Sequence, residues 1–344
     1  MNGSASGVGD NEGDGRHVRG RGDTTVAWVE SPLQMLCVIE AHHAGLLGAH
    51  TTVVPRARLA ALRITRNELN RLDLPPGLRL AEPSDGTPRP GRTWVVGDAF
   101  SGRVQLALLT SVFTGRPRRV VLVDDGLATI RLLELLTNRK PLLRARAERG
   151  LLRSFLGAAA GIRLRGVPFT ATDRLTVFTA LPVPAPLAEA VRRAGPSLVG
   201  HDFAWLRSQP AALPPRERTI VLGTSLVRNG LIHRDHYLRW LEGFNEPVAY
   251  YPHRREDPRD LSRVRRIAGV TIYDAGVPAE MTLRDLGPDQ RVLSLPSTAV
   301  TSLRVLLAAR GVSVEAVDVP DTWWTASAGP SLRSHLQLFS EVSS

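Results

Sequence analysis

Short apolar runs, each ended by a polar or Gly-bearing turn and followed by apolar residues at helical spacing, recur along this chain. Thr24 to Val29 reads as a first buried strand, and Glu30, Ser31 and Pro32 lead from it into an apolar helix through Leu36, Val38 and Ile39. Ser31 suits the N-cap and Pro32 the first helical position, where a missing N–H costs nothing. Thr51 to Val54 predicts a second strand and Arg56 to Leu72 a helix carrying Leu59, Leu62 and Leu69. A Pro/Gly-rich loop from Pro75 to Gly91 precedes a strand from Thr93 to Val96. That strand ends in Gly97, Asp98 and Ser101, and a helix follows from Val104 to Val112. Gly97 and Gly102 allow backbone to approach a ligand without completing a dinucleotide fingerprint. Val120 to Val123 then runs into Asp124, Asp125 and Gly126, with a helix from Leu127 to Leu136, and Arg174 to Thr179 reads as the last strand of this half.

Arg207 to Arg218, with Pro210, Pro214 and Pro215, interrupts the pattern and marks a domain boundary. Beyond it Thr219 to Leu222 predicts a strand entering Gly223 and Thr224, with a helix near Asp235 to Leu241. Pro247 to Tyr251 delivers Pro252, His253, Arg254, Arg255 and Glu256. Val270 to Tyr273 is followed by Asp274 to Glu280. Arg291 to Leu295 enters Pro296, Ser297, Thr298 and a long helix to Ala309, and Ser331 to Phe339 reads as a closing helix. Strands alternating with helices predict two parallel sheets, an α/β chain. The organisation is a disordered tail over 1–23, a first domain over 24–206, a Pro-rich linker over 207–218, a second domain over 219–328 and a closing helical segment over 329–344.

A chain of 344 residues with 43% hydrophobic content supports two cores. Its net charge of +11 suits an anionic partner, such as nucleic acid, a membrane surface or an acidic substrate. Lys140 is the only lysine, so part of that charge reflects an Arg-rich composition bias. The segment Arg139, Lys140, Arg144, Arg146, Arg149, Arg153, Arg163 and Arg165 reads first as a solvated helix face, and alternatively as a wall facing an anionic polymer or lipid headgroups. Cys37, the single cysteine, cannot form an intramolecular disulfide, which points to a cytoplasmic protein. No apolar run approaches the ~20 residues of a membrane-spanning helix, so any membrane association is peripheral. Adjacent His42 and His43 cannot face one ion, and no metal site is expected.

Asp124 and Asp125 sit at the carboxyl end of a buried strand, where open α/β sheets place ligands, and suit a general base; the plain alternative is a turn. In the second half, Ser297 and Thr298 stand where a helix begins, so hydroxyls and free N–H groups together form an anion site. His253, beside Arg254 and Arg255, can donate a hydrogen bond or proton to the same anion. Glu280 can accept from ribose hydroxyls, or simply sit in the first turn of a helix. Gly223 and Thr224 complete the donor-side candidates, while Ser31, Pro32, Gln34, Gly97, Asp98 and Ser101 are the acceptor-side ones.

Six short motifs carry a resemblance to a known family: WVESPLQMLCVIEA at Trp28 to Ala41, VLVDDG at Val121 to Gly126, VLGTSLVRNGLI at Val221 to Ile232, YYPHRRED at Tyr250 to Asp257, DAGVPAE at Asp274 to Glu280, and LPSTA at Leu295 to Ala299. In their order and spacing the chain resembles the bacterial sialyltransferases of two-domain GT-B fold, of the polysialyltransferase and lipooligosaccharide sialyltransferase (glycosyltransferase family 52) type. The resemblance implies metal-independent, inverting transfer of sialic acid or a related nonulosonic acid from a CMP-linked donor to a glycan acceptor, in capsule or cell-surface glycan synthesis, with no cofactor. It implies one carboxylate of Asp124 and Asp125 as base, His253 on the donor phosphate, Ser297 and Thr298 on the same phosphate, and Glu280 on the cytidine ribose. Arg254 departs from the family's proline, which alters the loop's rigidity and charge. Two other readings stand beside this one. One is a GT-B glycosyltransferase with another nucleotide-sugar; the other is a non-catalytic basic protein on an anionic polymer or membrane surface. Nucleic acid is not the expected partner.

Overall fold

The computed structural model describes residues 24–57, 59–86, 93–114, 119–124, 126–143, 151–165, 174–273, 276–330, 332–334 and 336. The expected tail, Asp125 and most of the expected closing helix lie outside them. The first sheet contains β1 (Thr24–Val29), β2 (His50–Pro55), β3 (Leu78–Leu80), β4 (Thr93–Val96), β5 (Arg119–Val123), β6 (Arg174–Thr179) and β7 (Ser197–Gly200), in the spatial order β3-β2-β1-β4-β5-β6-β7. The second contains β8 (Thr219–Leu222), β9 (Val248–Tyr251), β10 (Val270–Ile272), β11 (Arg291–Ser294) and β12 (Ser313–Ala316), ordered β10-β9-β8-β11-β12. Every strand pairing within the two sheets is parallel. Two such sheets in sequence make the α/β, GT-B-like architecture expected.

Parallel pairing requires crossovers, and the helices supply them. They are α1 (Pro32–His43), α2 (Ala60–Leu69), α3 (Gly102–Thr114), α4 (Leu127–Thr137), α5 (Leu151–Leu164), α6 (Ala185–Arg193) and α7 (Ala204–Arg207) around the first sheet. Around the second run α8 (Arg234–Glu242), α9 (Pro258–Val264), α10 (Ala279–Leu283) and α11 (Thr298–Leu307). Both faces of the central strands are therefore buried, and the period of two sorts them: Trp94 and Val96 enter the core under α3 to α6, while Val95 enters the one under α1. The α1 core continues without a break into Ile220, Leu222, Val292 and the buried face of α11, so one apolar cluster serves both sheets.

The short α7 ties the halves together. Its start is held by the buried Glu40 carboxylate of α1, which accepts from Trp205 N at 3.0 Å and Leu206 N at 2.9 Å. Burial pushes Glu40 up to about 7 despite those bonds. At its end the Arg207 guanidinium donates to the Leu306 and Val305 carbonyls at the carboxyl end of α11, at 3.2 and 2.7 Å.

Several expectations change in detail. The Pro75–Gly91 loop contains β3, Arg174–Thr179 is followed by a further strand, β7, and β12 follows α11. The helix expected from Arg56 begins only at Ala60, because Arg56 prolongs β2 by bridging to Ser84. Arg207, expected to open the linker, closes α7.

Candidate active site

Each sheet changes direction once: β1 neighbours both β2 and β4, and β8 neighbours both β9 and β11. At such points the loops leaving the carboxyl ends diverge and leave a crevice. The first crevice is organised around Glu30, directly after β1. Its carboxylate accepts from Ser101 Oγ at 2.9 Å and from Arg56 Nη1 at 3.2 Å, and its amide donates to Gln34 Oε1 at 2.7 Å. Gln34 lies against Gly97, where a Cβ would collide with its side chain. Ser31 accepts from Gln34 N at 3.2 Å and caps α1, with Pro32 at the first turn. Buried Asp98 accepts from Phe100 N at 2.8 Å and turns the chain toward α3. All the acceptor-side candidates thus gather here, and Glu30 is the hub that sequence reasoning passed over.

Asp124, at the end of β5, is 2% exposed and fully engaged. Oδ1 accepts from Gly126 N at 2.9 Å and Thr129 Oγ1 at 2.8 Å. Oδ2 accepts from Thr179 Oγ1 at 2.8 Å and Ala180 N at 3.3 Å. Burial raises its pKa, and the four bonds pull the other way. Such a carboxylate fixes the turn between β5, β6 and α4. Gly126 takes φ 72°, where a side chain is strained, and a Cβ there would stand 2.6 Å from Thr298 Cγ2 of the second domain. The acidic turn therefore rests directly on the N-terminus of α11.

On the second domain, α11 opens at Ser297, whose side chain makes no capping bond; its Oγ lies 3.2 Å from Ser294 Oγ. The first-turn N–H groups of a helix have no partner within it, so this end can accept a hydrogen-bonding anion. Beside it the buried Glu280 of α10 accepts from Ser302 Oγ of α11. Burial raises the Glu280 pKa, and the charge of Asp124 across the domain boundary adds to the rise.

At the neighbouring strand ends, Gly223 N donates to Tyr251 O at 2.7 Å, and buried Thr224 closes the turn by accepting from Leu226 N at 3.1 Å. A Cβ on Gly223 would lie 2.6 Å from His253 N and would meet the carboxylate of Glu256. His253 Nδ1 accepts from Arg255 N at 3.1 Å, which leaves Nε2 as the protonated nitrogen. Burial and then the Arg254 and Arg255 charges push its pKa down to about 4, so at neutral pH it is an uncharged N–H donor. Its loop is braced by Glu256, which accepts from His253 N at 2.8 Å and from the Tyr250 hydroxyl; burial pushes Glu256 up to about 7. Glu256 was not among the expected site residues, although it stands in their motif.

The structure thus brings Asp124, Gly126, Glu280, Thr298 and Ser302 together, and separately joins His253 to Gly223 and Glu256. His253 and Ser297 leave β9 and β11 with β8 between them, about 10 Å apart at strand spacing, so an anion touching both would have to span the end of β8. Arg254 and Arg255 are exposed beside it. Among the described residues no group of three or more His, Cys, Asp or Glu could hold a metal ion, and no helix is long and apolar enough to cross a membrane.

No protein-family model matches the sequence, and no curated protein matches it by sequence. Among solved structures, the GT-B domain of a sialyltransferase from Photobacterium damselae is similar at 13% identity, over 93% of this chain and 97% of that one, with a TM-score of 0.48. A UDP-glucosyltransferase from Polygonum tinctorium is similar at 11% identity over 93% of each chain, with a TM-score of 0.48. LpCGTa in complex with UDP is similar at 13% identity over 93% and 94%, with a TM-score of 0.46.

Proposed function

We propose that the chain is a metal-independent, inverting glycosyltransferase that passes sialic acid or a related nonulosonic acid from a CMP-linked donor to a glycan hydroxyl. The observation that carries this reading is the contact of Gly126 with Thr298, which sets an acidic turn against a helix N-terminus built for one phosphate. Asp124 supports the turn. Asp125, the remaining carboxylate of the pair, is the base that takes the acceptor proton as the acceptor oxygen bonds to the anomeric carbon. The bond from that carbon to the phosphate oxygen breaks, and CMP leaves with the electron pair. Its growing charge is met by the α11 N–H groups and the Ser297 and Thr298 hydroxyls, with His253 Nε2–H reaching the donor from across the end of β8. Arg254 adds positive charge where the family places proline. Glu280 accepts from the ribose hydroxyls.

A donor screen tests the reading. CMP should raise the melting temperature and CMP-linked nonulosonic acids should release free CMP with an accepted glycan, in chelator as well as without it. Protection by UDP or GDP in preference to CMP would replace the donor, and protection by no nucleotide would remove the transferase reading altogether.

A further inference from the structure

Two adjacent helices on the first domain's outer face carry large apolar side chains in solvent. Phe155 and Ile162 of α5 are 68% and 49% exposed, and Leu106 of α3 is 50% exposed. Phe155, Ala159 and Ile162 recur at i, i+4 and i+7 and so form one stripe. The opposite side of α5 is Gly157, Ala160, Gly161 and Leu164, all buried. Gly157 lies so close to the chain at Leu142 that a Cβ would stand 2.8 Å from the Leu142 carbonyl oxygen. The Gln105 side chain of α3 donates to that same carbonyl at 2.9 Å, and α3 packs against α5. The stripe therefore faces outward because the helix is already seated on its small-residue side.

The charge carried by these two helices has one sign. Neither helix contains an acidic residue, and from Arg139 to Arg165 eight cationic residues stand against one acid. Burial, and after it the Arg139 charge, lower the pKa of Arg165. We propose that the α3–α5 face docks the chain on an anionic lipid bilayer, with Phe155, Ile162 and Leu106 among the acyl chains and the flanking arginines at headgroup phosphates. A second copy fits poorly, since a two-fold contact would set arginine against arginine. A soluble polyanion would satisfy the arginines and leave the apolar stripe in water. Leu106 lies only about 7.5 Å along the helix axis from Ser101 of the β1–β4 crevice, so a bilayer on this face would hold headgroup-linked material near the acceptor side.

The full chain is sedimented with phosphatidylcholine vesicles and with vesicles that also contain phosphatidylglycerol. It should pellet with the anionic vesicles, less so at high salt. Phe155→Ser with Ile162→Ser should weaken that partition by roughly tenfold or more at an unchanged melting temperature. Arg103→Gln with Arg153→Gln, which keeps the apolar stripe, should weaken it as well. Equal binding to both vesicle types, or an apolar double variant that binds like the parent, would overturn the proposal. So would a concentration-dependent dimer lost in that variant, or capture by polyphosphate without capture by vesicles. None of these readouts needs turnover, so their failure is distinct from failure of the transferase reading.

Discussion

The two carboxyl edges that meet at Gly126 and Thr298 are finished in opposite ways. On the first domain Asp124 has both oxygens committed to four donors inside the protein. On the second, α11 begins without a side-chain cap and His253 keeps its Nε2–H outside the hydrogen bonds that brace its loop. The first edge has its donors and acceptors matched inside the protein, while the second keeps donors that a ligand could take up. The proposed chemistry divides accordingly, with positioning on the first domain and the donors that would meet the leaving group's charge on the second.

The largest expected effect breaks the first half of this contrast. Asp125→Asn should cut turnover about 10²- to 10⁴-fold with CMP affinity kept, measured by initial rates and calorimetry. Asp124→Asn should act through stability instead, because an amide nitrogen would replace an acceptor facing backbone donors. A loss of about 2–3 kcal/mol in denaturant unfolding is expected. If the two variants exchange these outcomes, Asp124 is the base. Gly126→Ala should come next, by straining φ 72° and driving a methyl into Thr298, with turnover falling further than stability.

Smaller effects sharpen the second half. His253→Gln, which keeps a neutral donor near Nε2, should retain more affinity for the CMP-sugar than His253→Ala. The pH dependence of stability follows from two opposed signs. His253 is held below its unfolded value, so its contribution is present above about pH 6.5 and is lost as pH falls toward 4. Glu256 is held above its unfolded value, so its contribution is present below about pH 4.5 and is lost as pH rises through 7. Melting curves of His253→Gln and Glu256→Gln across that range should therefore change slope in opposite directions. His201 gives the smallest change. Its ring stacks on Phe178 at 4.3 Å with neither nitrogen hydrogen-bonded, and burial pushes its pKa down to about 4. His201→Phe should leave stability unchanged or raise it, most at acid pH.

The central strands were legible because burial on both faces leaves uninterrupted apolar runs such as Val120 to Val123. β3, β7 and β12 were not, since each lies at a sheet edge, is three or four residues long, and carries exposed positions that break up the apolar run. The candidate loops were readable from their strand-to-helix position. What holds them was not: Glu40 caps α7 across 165 positions, and Glu30 meets Ser101 across 71. A contact at that separation leaves no local pattern, and along the chain Glu40 is no more than a polar residue in an apolar helix. The expected roles of Asp124 and Asp125 remained symmetric in the sequence, because only the fold brings Thr129 and Thr179 to one of them.

Helix α11 belongs to the second sheet, yet the first domain meets it at both tips, through Gly126 at one and Arg207 at the other. A helix is a dipole, and a cation at its carboxyl tip together with an anion at its amino tip leaves it balanced from end to end. In the proposed reaction, release of the donor phosphate would remove the counterpart of one pole only. The other tip stays tied to the first domain through Arg207.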